Sequence, residues 1–565
     1  MTRSTRRGDR EDAAAPDSAA PAESRAPAAT RASRRRFRAI WLAPVLAILA
    51  ISAWAFASPP GSSPDDDYHL VSIWCANEAN TDLCEPGSEP GTREVASSLL
   101  DVACFARDGE KSGACQIGTF DGPPELEQSA RGNFVGAYPP VYYSVMSVFT
   151  SDDVPTAALT MRILNGVLLT ALTTALFLLL PVRRRATLVW AWIISVVPLG
   201  LFLIASNNPS SWAVIGVGTA WMAALGWYET TGRRRIGLGV IASIAVVVAA
   251  GARADAAIYA VLGIAAAMFL SFRRGRAGGA AGSSSPARDS GAGLRSFALR
   301  SILPIALIVV AALFVLFSRQ ASSGVNGFTT ISLPDLSTLA STQGLATGAD
   351  SEPDRFALLL QNLLGVPSLW AGPFGYWSLG WFDTSMPPIV AFGGLAVFIA
   401  VCFTGIRDLG WRKALVTVGA LAALIVIPVV TLTRGGHPVG IEVQPRYILP
   451  LMIMFAGFTL LATGDRVIRF SLAQRILLVG TLIGVQAIAL FFTLRRYVTG
   501  DDVNSPNLDA GLEWWWSVPF GPTVVLAIGS LAWAGLVILL VREVTPRPDA
   551  VADREAGVAP VRSAR

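Results

Sequence analysis

Residues 520–541 read FGPTVVLAIGSLAWAGLVILLV, and Arg542 follows at once. The run carries no charged side chain. A helix of about 20 mostly apolar residues crosses the hydrocarbon of a bilayer. This stretch therefore reads as a membrane span. Eleven more runs precede it, at roughly 37–58, 157–181, 188–205, 212–229, 237–252, 256–272, 301–318, 387–405, 414–433, 447–464 and 476–494. Together they predict an all-α polytopic membrane protein with about 12 transmembrane helices. The fifth and sixth are the shortest.

Composition agrees. Of 565 residues, 52% are apolar and 15% charged, with a mean hydropathy of +0.50. Soluble domains carry roughly 25% charged residues. So few charges cannot cover several water-facing domains. That excludes a soluble multidomain enzyme, a disordered protein and a nucleic-acid binder. The formal charge of +5 does not imply a nucleic-acid partner, because the basic residues form short clusters between apolar runs. Arg outnumbers Lys 43 to 2, which reads as codon bias rather than chemistry.

Those clusters orient the chain. Arg34–Arg36, Arg183–Arg185, Arg233–Arg235, Arg273, Arg274 and Arg276 fall on one side of the bilayer. So do Arg407, Arg412, Lys413, Arg466, Arg469, Arg475 and Arg542. The positive-inside rule makes that side cytoplasmic, with both termini on it. Arg495 and Arg496 are the main exceptions. Residues 1–36 and 542–565 read as disordered cytoplasmic tails around the membrane domain 37–541. The first run is long enough to span and lacks a clear cleavage site, so it reads as an anchor. The Gly-, Ala- and Ser-rich segment 277–299 reads as a flexible cytoplasmic loop.

Three extracytoplasmic segments are long: 59–156, 319–386 and 495–519. Chemistry is expected there. The first holds Cys75, Cys84, Cys104 and Cys115, an even number that suggests disulfides. Loop-closure economy favours Cys75–Cys84 and Cys104–Cys115. A metal site is the rival reading, without a C-x-x-C or Cys/His pattern to support it. Cys402 lies inside a span and reads as packing. Between 59 and 140 there are fourteen acidic residues against four basic ones.

Pro64-Asp65-Asp66-Asp67-Tyr68-His69 stands just beyond the first span. Adjacent carboxylates repel, so one can have a raised pKa and act as a base. Asp65 and Asp66 are also the pair to hold a divalent cation, Mg or Mn, if one is used. Their height matches the phosphate of a lipid-linked substrate; a plain acidic helix cap is the competing reading. Tyr138-Pro139-Pro140-Val141-Tyr142-Tyr143 offers rings that can stack on a sugar or sit in the interfacial belt. Arg253 and Asp255 share a tight outer turn and can pair with each other, or Arg253 can face a phosphate. Asp383 precedes the eighth span. Glu442, Gln444, Arg446 and Tyr447 precede the tenth, where an outer Arg needs an acidic or phosphate partner. Trp514-Trp515-Trp516 reads first as an interfacial anchor, and as a sugar platform second. Acids, arginines and aromatics thus gather at outer helix ends. A transporter site sits near the bilayer midplane on broken helices, so a surface-facing site is favoured.

Four of these motifs, in order and on one side, resemble the bacterial membrane family catalogued as domain of unknown function 2142. They are the Pro-Asp-acid-x-x-His, the Tyr-Pro-Pro-x-Tyr-Tyr, the Gly-Trp-x-Asp-Thr-x-x-Pro and the Val-Gln-x-Arg-Tyr-x-x-Pro. The resemblance spans about 37–541. That family is similar to the GT-C glycosyltransferases, polytopic enzymes that take a sugar from a polyprenyl-phosphate carrier on the outer face. The resemblance implies a bacterial plasma-membrane location and an inverting transfer to a cell-envelope glycan or glycolipid acceptor. It places Asp65 as catalytic carboxylate and Asp66 where the family usually has Glu. His69 becomes a positioning or acceptor-contacting residue. Gln444 and Arg446 are placed at the lipid phosphate, with Arg253 or Arg495 assisting. Tyr138, Tyr142, Asp255, Asp383 and Tyr447 complete the expected substrate-binding set. A polysaccharide polymerase or ligase, and a flippase of lipid-linked sugars, remain open alternatives.

Overall fold

The computed structural model describes residues 39–77, 82–272, 290–318, 355–440, 443–462 and 469–545. Outside them lie the tail 1–36, the part of the second tail beyond 545 and Glu442. So do residues 277–289 of the expected cytoplasmic loop and 319–354 of the second outer segment.

In chain order, α1 (Ala43–Phe56) leads to the short helices α2 (Asp66–Trp74) and α3 (Val141–Met146). Then follow α4 (Val154–Leu179), α5 (Val182–Ile193), α6 (Leu199–Ile204), α7 (Ser210–Glu229), α8 (Gly232–Ala250) and α9 (Ala254–Ser271). The second half holds α10 (Ser290–Phe317), α11 (Arg355–Ala371), α12 (Pro388–Ile406), α13 (Trp411–Gly435), α14 (Pro445–Thr459), α15 (Leu472–Val498) and α16 (Pro522–Val544).

Seven of the described helices are long and apolar enough to cross a membrane: α4, α9, α10, α12, α13, α15 and α16. The expected twelve spans therefore resolve differently. The run 188–205 splits into α5 and α6, because Pro198 lacks the amide that would continue the ladder. Helices α1 and α14 have only 14 and 15 residues. Helix α8 opens on Gly232-Arg233-Arg234-Arg235, which lowers its hydropathy. Helix α11 falls inside the expected outer segment 319–386; Gln361, Asn362 and Pro367 interrupt its apolar run and hid it. Helix α10 begins at Ser290, within the expected loop 277–299.

The fold is also not purely helical. The first outer segment carries β1 (Cys84–Pro86), β2 (Arg93–Ala96) and β3 (Leu126–Ser129), antiparallel in the order β1-β2-β3. Cys84 pairs with Val95 and Arg93 with Ser129. Disulfides Cys75–Cys84 and Cys104–Cys115 are present. The first joins the end of α2 to the sheet, which ties Asp65 and its helix to the outer subdomain. Cys402 is free and buried.

Helix α7 is the axis of the bundle. It is buried almost all round, as a helix apolar on every face should be. It packs against α8, α9, α14 and α4. Gly216 allows α8 to approach closely, since a Cβ there would meet the Ala245 carbonyl at 2.6 Å.

Candidate active site

The site is built where α1 leaves the bundle. Arg162, fully buried on α4, catches the exiting backbone. It donates to the carbonyls of Ala55, Ser58 and Pro59 at 3.3, 2.7 and 2.8 Å, and to Asn207 Oδ1 at 2.8 Å. Further along, the Pro64 carbonyl is held by Asn208 Nδ2 at 2.9 Å and by Arg446 Nη1 at 2.8 Å. The chain then turns sharply. Asp65 takes a left-handed conformation, φ 66° and ψ 17°, and forms the N-cap of α2. Its carbonyl accepts the amides of Tyr68 and His69 at 3.0 and 2.9 Å, which starts the helix.

The turn leaves the Asp65 side chain 40% exposed beside a buried arginine. Arg446 Nη2 donates to Asp65 Oδ2 at 2.5 Å and to the Tyr447 hydroxyl at 3.0 Å. Arg131 lies 3.9 Å from Asp65 Oδ1 and forks onto Asp67 at 2.8 and 2.9 Å. Burial opposes ionisation of Asp65, but the fields of Arg446 and Arg131 outweigh it and lower its pKa.

Asp66 faces the other way. It is fully buried, and its Oδ2 accepts the Ser63 amide at 3.1 Å. Its Oδ1 is buried without a hydrogen-bond partner among the described residues. Burial pushes its pKa up from 3.8 to about 7 against the field of Arg162. Adjacent in sequence, the two carboxylates sit in opposite environments: one held ionised by arginines at the surface, one inclined by burial to keep its proton in the interior.

An aromatic wall stands behind Asp65. His69 and Tyr143 lie nearly parallel, and Tyr68 and Tyr138 meet His69 edge-on at 5.3 and 5.4 Å. His69 Nδ1 and the Tyr143 hydroxyl are 2.9 Å apart. Burial drives the His69 pKa well below the ordinary histidine range despite the nearby Asp65 charge, so the ring is neutral at pH 7. Arg253 closes the wall. It forks onto Asp255 at 2.9 and 3.0 Å and lies over Tyr138 and Tyr447, 5.5 and 4.6 Å from their centroids.

Asp65, His69, Tyr138, Arg253, Asp255, Arg446 and Tyr447 therefore converge. Gln444 is their neighbour: it lines a small pocket with Pro64, Phe202 and Arg446, and its Oε1 is buried without a described partner. Tyr142 is fully buried between Trp212 and Tyr143. Asp383 belongs elsewhere. It pairs with fully buried Arg496 at 3.1 Å and accepts the Arg107 amide at 2.9 Å. Arg496 also donates to the carbonyls of Phe105, Asp108 and Lys111. This knot clamps the segment that follows α2 onto the C-terminal end of α15 and gives the buried Arg496 its partners. Arg495 instead lies at 3.7 Å from Asp501. Trp514 and Trp516 are buried, and Trp516 Nε1 donates to the Phe56 carbonyl at 2.9 Å, so the triplet anchors the third outer segment to α1.

Arg131 and Arg162 join the site beyond the residues that the sequence marks. Arg162 had a signal: a lone arginine inside an apolar run is expensive unless it has work to do. Arg131 had none, because its partners lie 64 and 66 residues away in sequence. The expected divalent cation meets a poor ligand set. Asp65 is engaged by Arg446 and Arg131 and Asp66 turns to Ser63. No group of three or more His, Cys, Asp or Glu stands ready for a metal among the described residues.

A family model described as "Predicted membrane protein (DUF2142)" matches residues 48–455. No curated protein matches. A solved structure, that of ArnT from Cupriavidus metallidurans bound to undecaprenyl phosphate, is similar over 94% of this chain and 82% of its own. Its identity is 13% and its TM-score 0.36, too distant for any residue or activity to be transferred.

Proposed function

This chain belongs to the DUF2142 family of predicted membrane proteins, and from that premise and the geometry around Asp65 we propose that it is a membrane glycosyltransferase. It moves a sugar from a polyprenyl-phosphate donor to a glycan or glycolipid acceptor at the extracytoplasmic face. The observation that carries the reading is a partly exposed carboxylate, Asp65, bound to a buried arginine, Arg446, at a helix end and backed by aromatic rings.

The Arg446–Asp65 pair suits a donor with a phosphate. A phosphate offers Arg446 a better fork than one carboxylate oxygen. As it takes Arg446, Asp65 loses the field that lowers its pKa. Binding of the donor thus makes the base more basic. Asp65 then accepts the proton of an acceptor hydroxyl, whose oxygen attacks the anomeric carbon. The bond from that carbon to the phosphate oxygen breaks, and the polyprenyl phosphate leaves with the electron pair. Arg446 offsets the charge on it. One displacement inverts the anomeric centre. Tyr68, partly exposed beside Asp65, supplies a ring against which a pyranose can pack. No step is routed through a metal.

The test is a transfer assay on purified protein with a panel of polyprenyl-phosphate sugars. Wild type turns over at least one donor, and Asp65→Asn loses transfer while keeping its fold. Arg446→Gln raises KM for the donor more than it lowers kcat. Transfer by Asp65→Asn at the wild-type rate would sink the assignment.

A further inference from the structure

A second cavity opens at the other end of the bundle, on the face that the charge pattern assigns to the cytoplasm. It has a volume of about 760 Å³, within the range of small-molecule sites. Its walls come from the ends of α5, α7, α9 and α13, from α10 and from the chain just beyond α14.

The walls are cationic. Arg183, Arg184, Arg300, Arg412 and Lys413 line the cavity, with Glu229 the one acid among them. Arg184 forks onto Glu229 at 2.5 and 2.9 Å, and Arg183 reaches the same carboxylate at 3.3 Å. Glu229 is thus shared by two arginines. The other three cations meet carbonyls among the described residues. Arg300 donates to the Tyr228 carbonyl at 3.4 Å, Lys413 to Gly405 at 2.7 Å, and Arg412 to Phe272. Asp408, outside the lining, is a further acid near Lys413.

A general excess of cytoplasmic arginine accounts for exposed loop charges. It does not account for cations sunk into the walls of a cavity. Arg184 is 7% exposed and Lys413 3%. Charges are buried at a cost that only a partner offsets. Among the described residues, five cations against Glu229 in the lining and Asp408 beside it leave positive charge in excess around a half-open space. Arginine forks fit the oxygens of a phosphate. Trp411, in the lining and two-thirds exposed at the start of α13, gives that space an apolar lip of the kind tryptophan forms at membrane interfaces.

We infer that this cavity binds the phosphate of an anionic lipid headgroup from the leaflet it opens on. The inference is independent of the outer site and of the reaction proposed there.

The experiment uses the purified full-length protein and measures lipid binding by native mass spectrometry. The probes are phosphatidylglycerol, phosphatidylcholine and inorganic phosphate. The variants are Arg300→Gln/Arg412→Gln and, as a control, Arg233→Gln/Arg234→Gln, which removes two exposed arginines from the same face. Thermal unfolding verifies that both fold. Wild type should prefer phosphatidylglycerol to phosphatidylcholine. The cavity variant should bind it about tenfold more weakly, because charge-assisted hydrogen bonds are lost. The control should match wild type. If inorganic phosphate binds as tightly as the lipid, and the cavity variant loses it too, the site stands and its source is a soluble phosphate. Equal weakening in the control would overturn the inference, as would a wild type without preference for phosphatidylglycerol.

Discussion

Asp66 allows a sharp test of the electrostatics around the first outer helix. Its carboxyl is fully buried and its pKa is raised from 3.8 to about 7. Between those values the folded protein holds a proton at Asp66 that the unfolded chain releases. Stability contributed by this group is complete below pH 3.8 and is lost as pH rises through about 7. The loss is about 1.4 kcal/mol per pH unit, or about 4 kcal/mol over the whole window. Asp66→Asn removes the titration and keeps an oxygen to accept the Ser63 amide. The variant should therefore gain on wild type by about 2 kcal/mol between pH 5 and 7, and the gap should level off above pH 8. His69 works in the opposite sense. Its pKa is lowered by burial, so its contribution is present above 6.5 and lost as pH falls below that. The quantity to measure is therefore the difference between the two proteins, taken from unfolding in detergent at half-unit steps of pH. Parallel curves from pH 5 to 8 would refute the reasoning.

The buried Arg496–Asp383 pair predicts an asymmetry. Arg496→Met leaves a carboxylate and three carbonyls without their donor and should cost about 3–5 kcal/mol, whereas Asp383→Asn keeps an acceptor and should cost less. Equal losses in thermal unfolding would count against the clamp. Removing the bridge Cys75–Cys84 by paired Ser substitutions should cost about 2–4 kcal/mol and speed proteolysis between 78 and 130. Unchanged cleavage would show that the sheet does not depend on it. Tyr143→Phe deletes the hydroxyl beside His69 and should raise KM for the donor without reversing the pH profile; an unchanged KM would remove the aromatic wall from the site.

Much of this molecule can be read before folding. Long apolar runs and arginine clusters act locally, so α4, α9 and the last two helices stand where hydropathy puts them. The pairing of four cysteines follows from short loops. Asp65 and Arg446 were each marked by position, an acid and a base at outer helix ends. What the sequence cannot carry is which charge meets which. Asp383 and Arg446 sit at similar depths before their helices, yet one is clamped by Arg496 and the other meets Asp65. That choice depends on how α15 and α2 pack. The contrast between Asp65 and Asp66 is likewise tertiary. One backbone turn sends the first outward and the second inward.

That turn also limits what residue 65 can be. Asp65 sits at a positive φ of 66°. Glycine, asparagine and aspartate enter this region readily, while longer side chains are strained there. Of those three, only aspartate carries a carboxylate. Two demands that are usually separate, backbone shape and acid chemistry, thus select the same residue. Glutamate would keep the acid and strain the turn; asparagine would keep the turn and lose the acid. A lineage that abandons the reaction should drift toward asparagine or glycine here before it reaches glutamate. Under the proposed function, position 65 works as a marker: its identity in a relative should separate chains that have kept the acid from those that have kept only the shape.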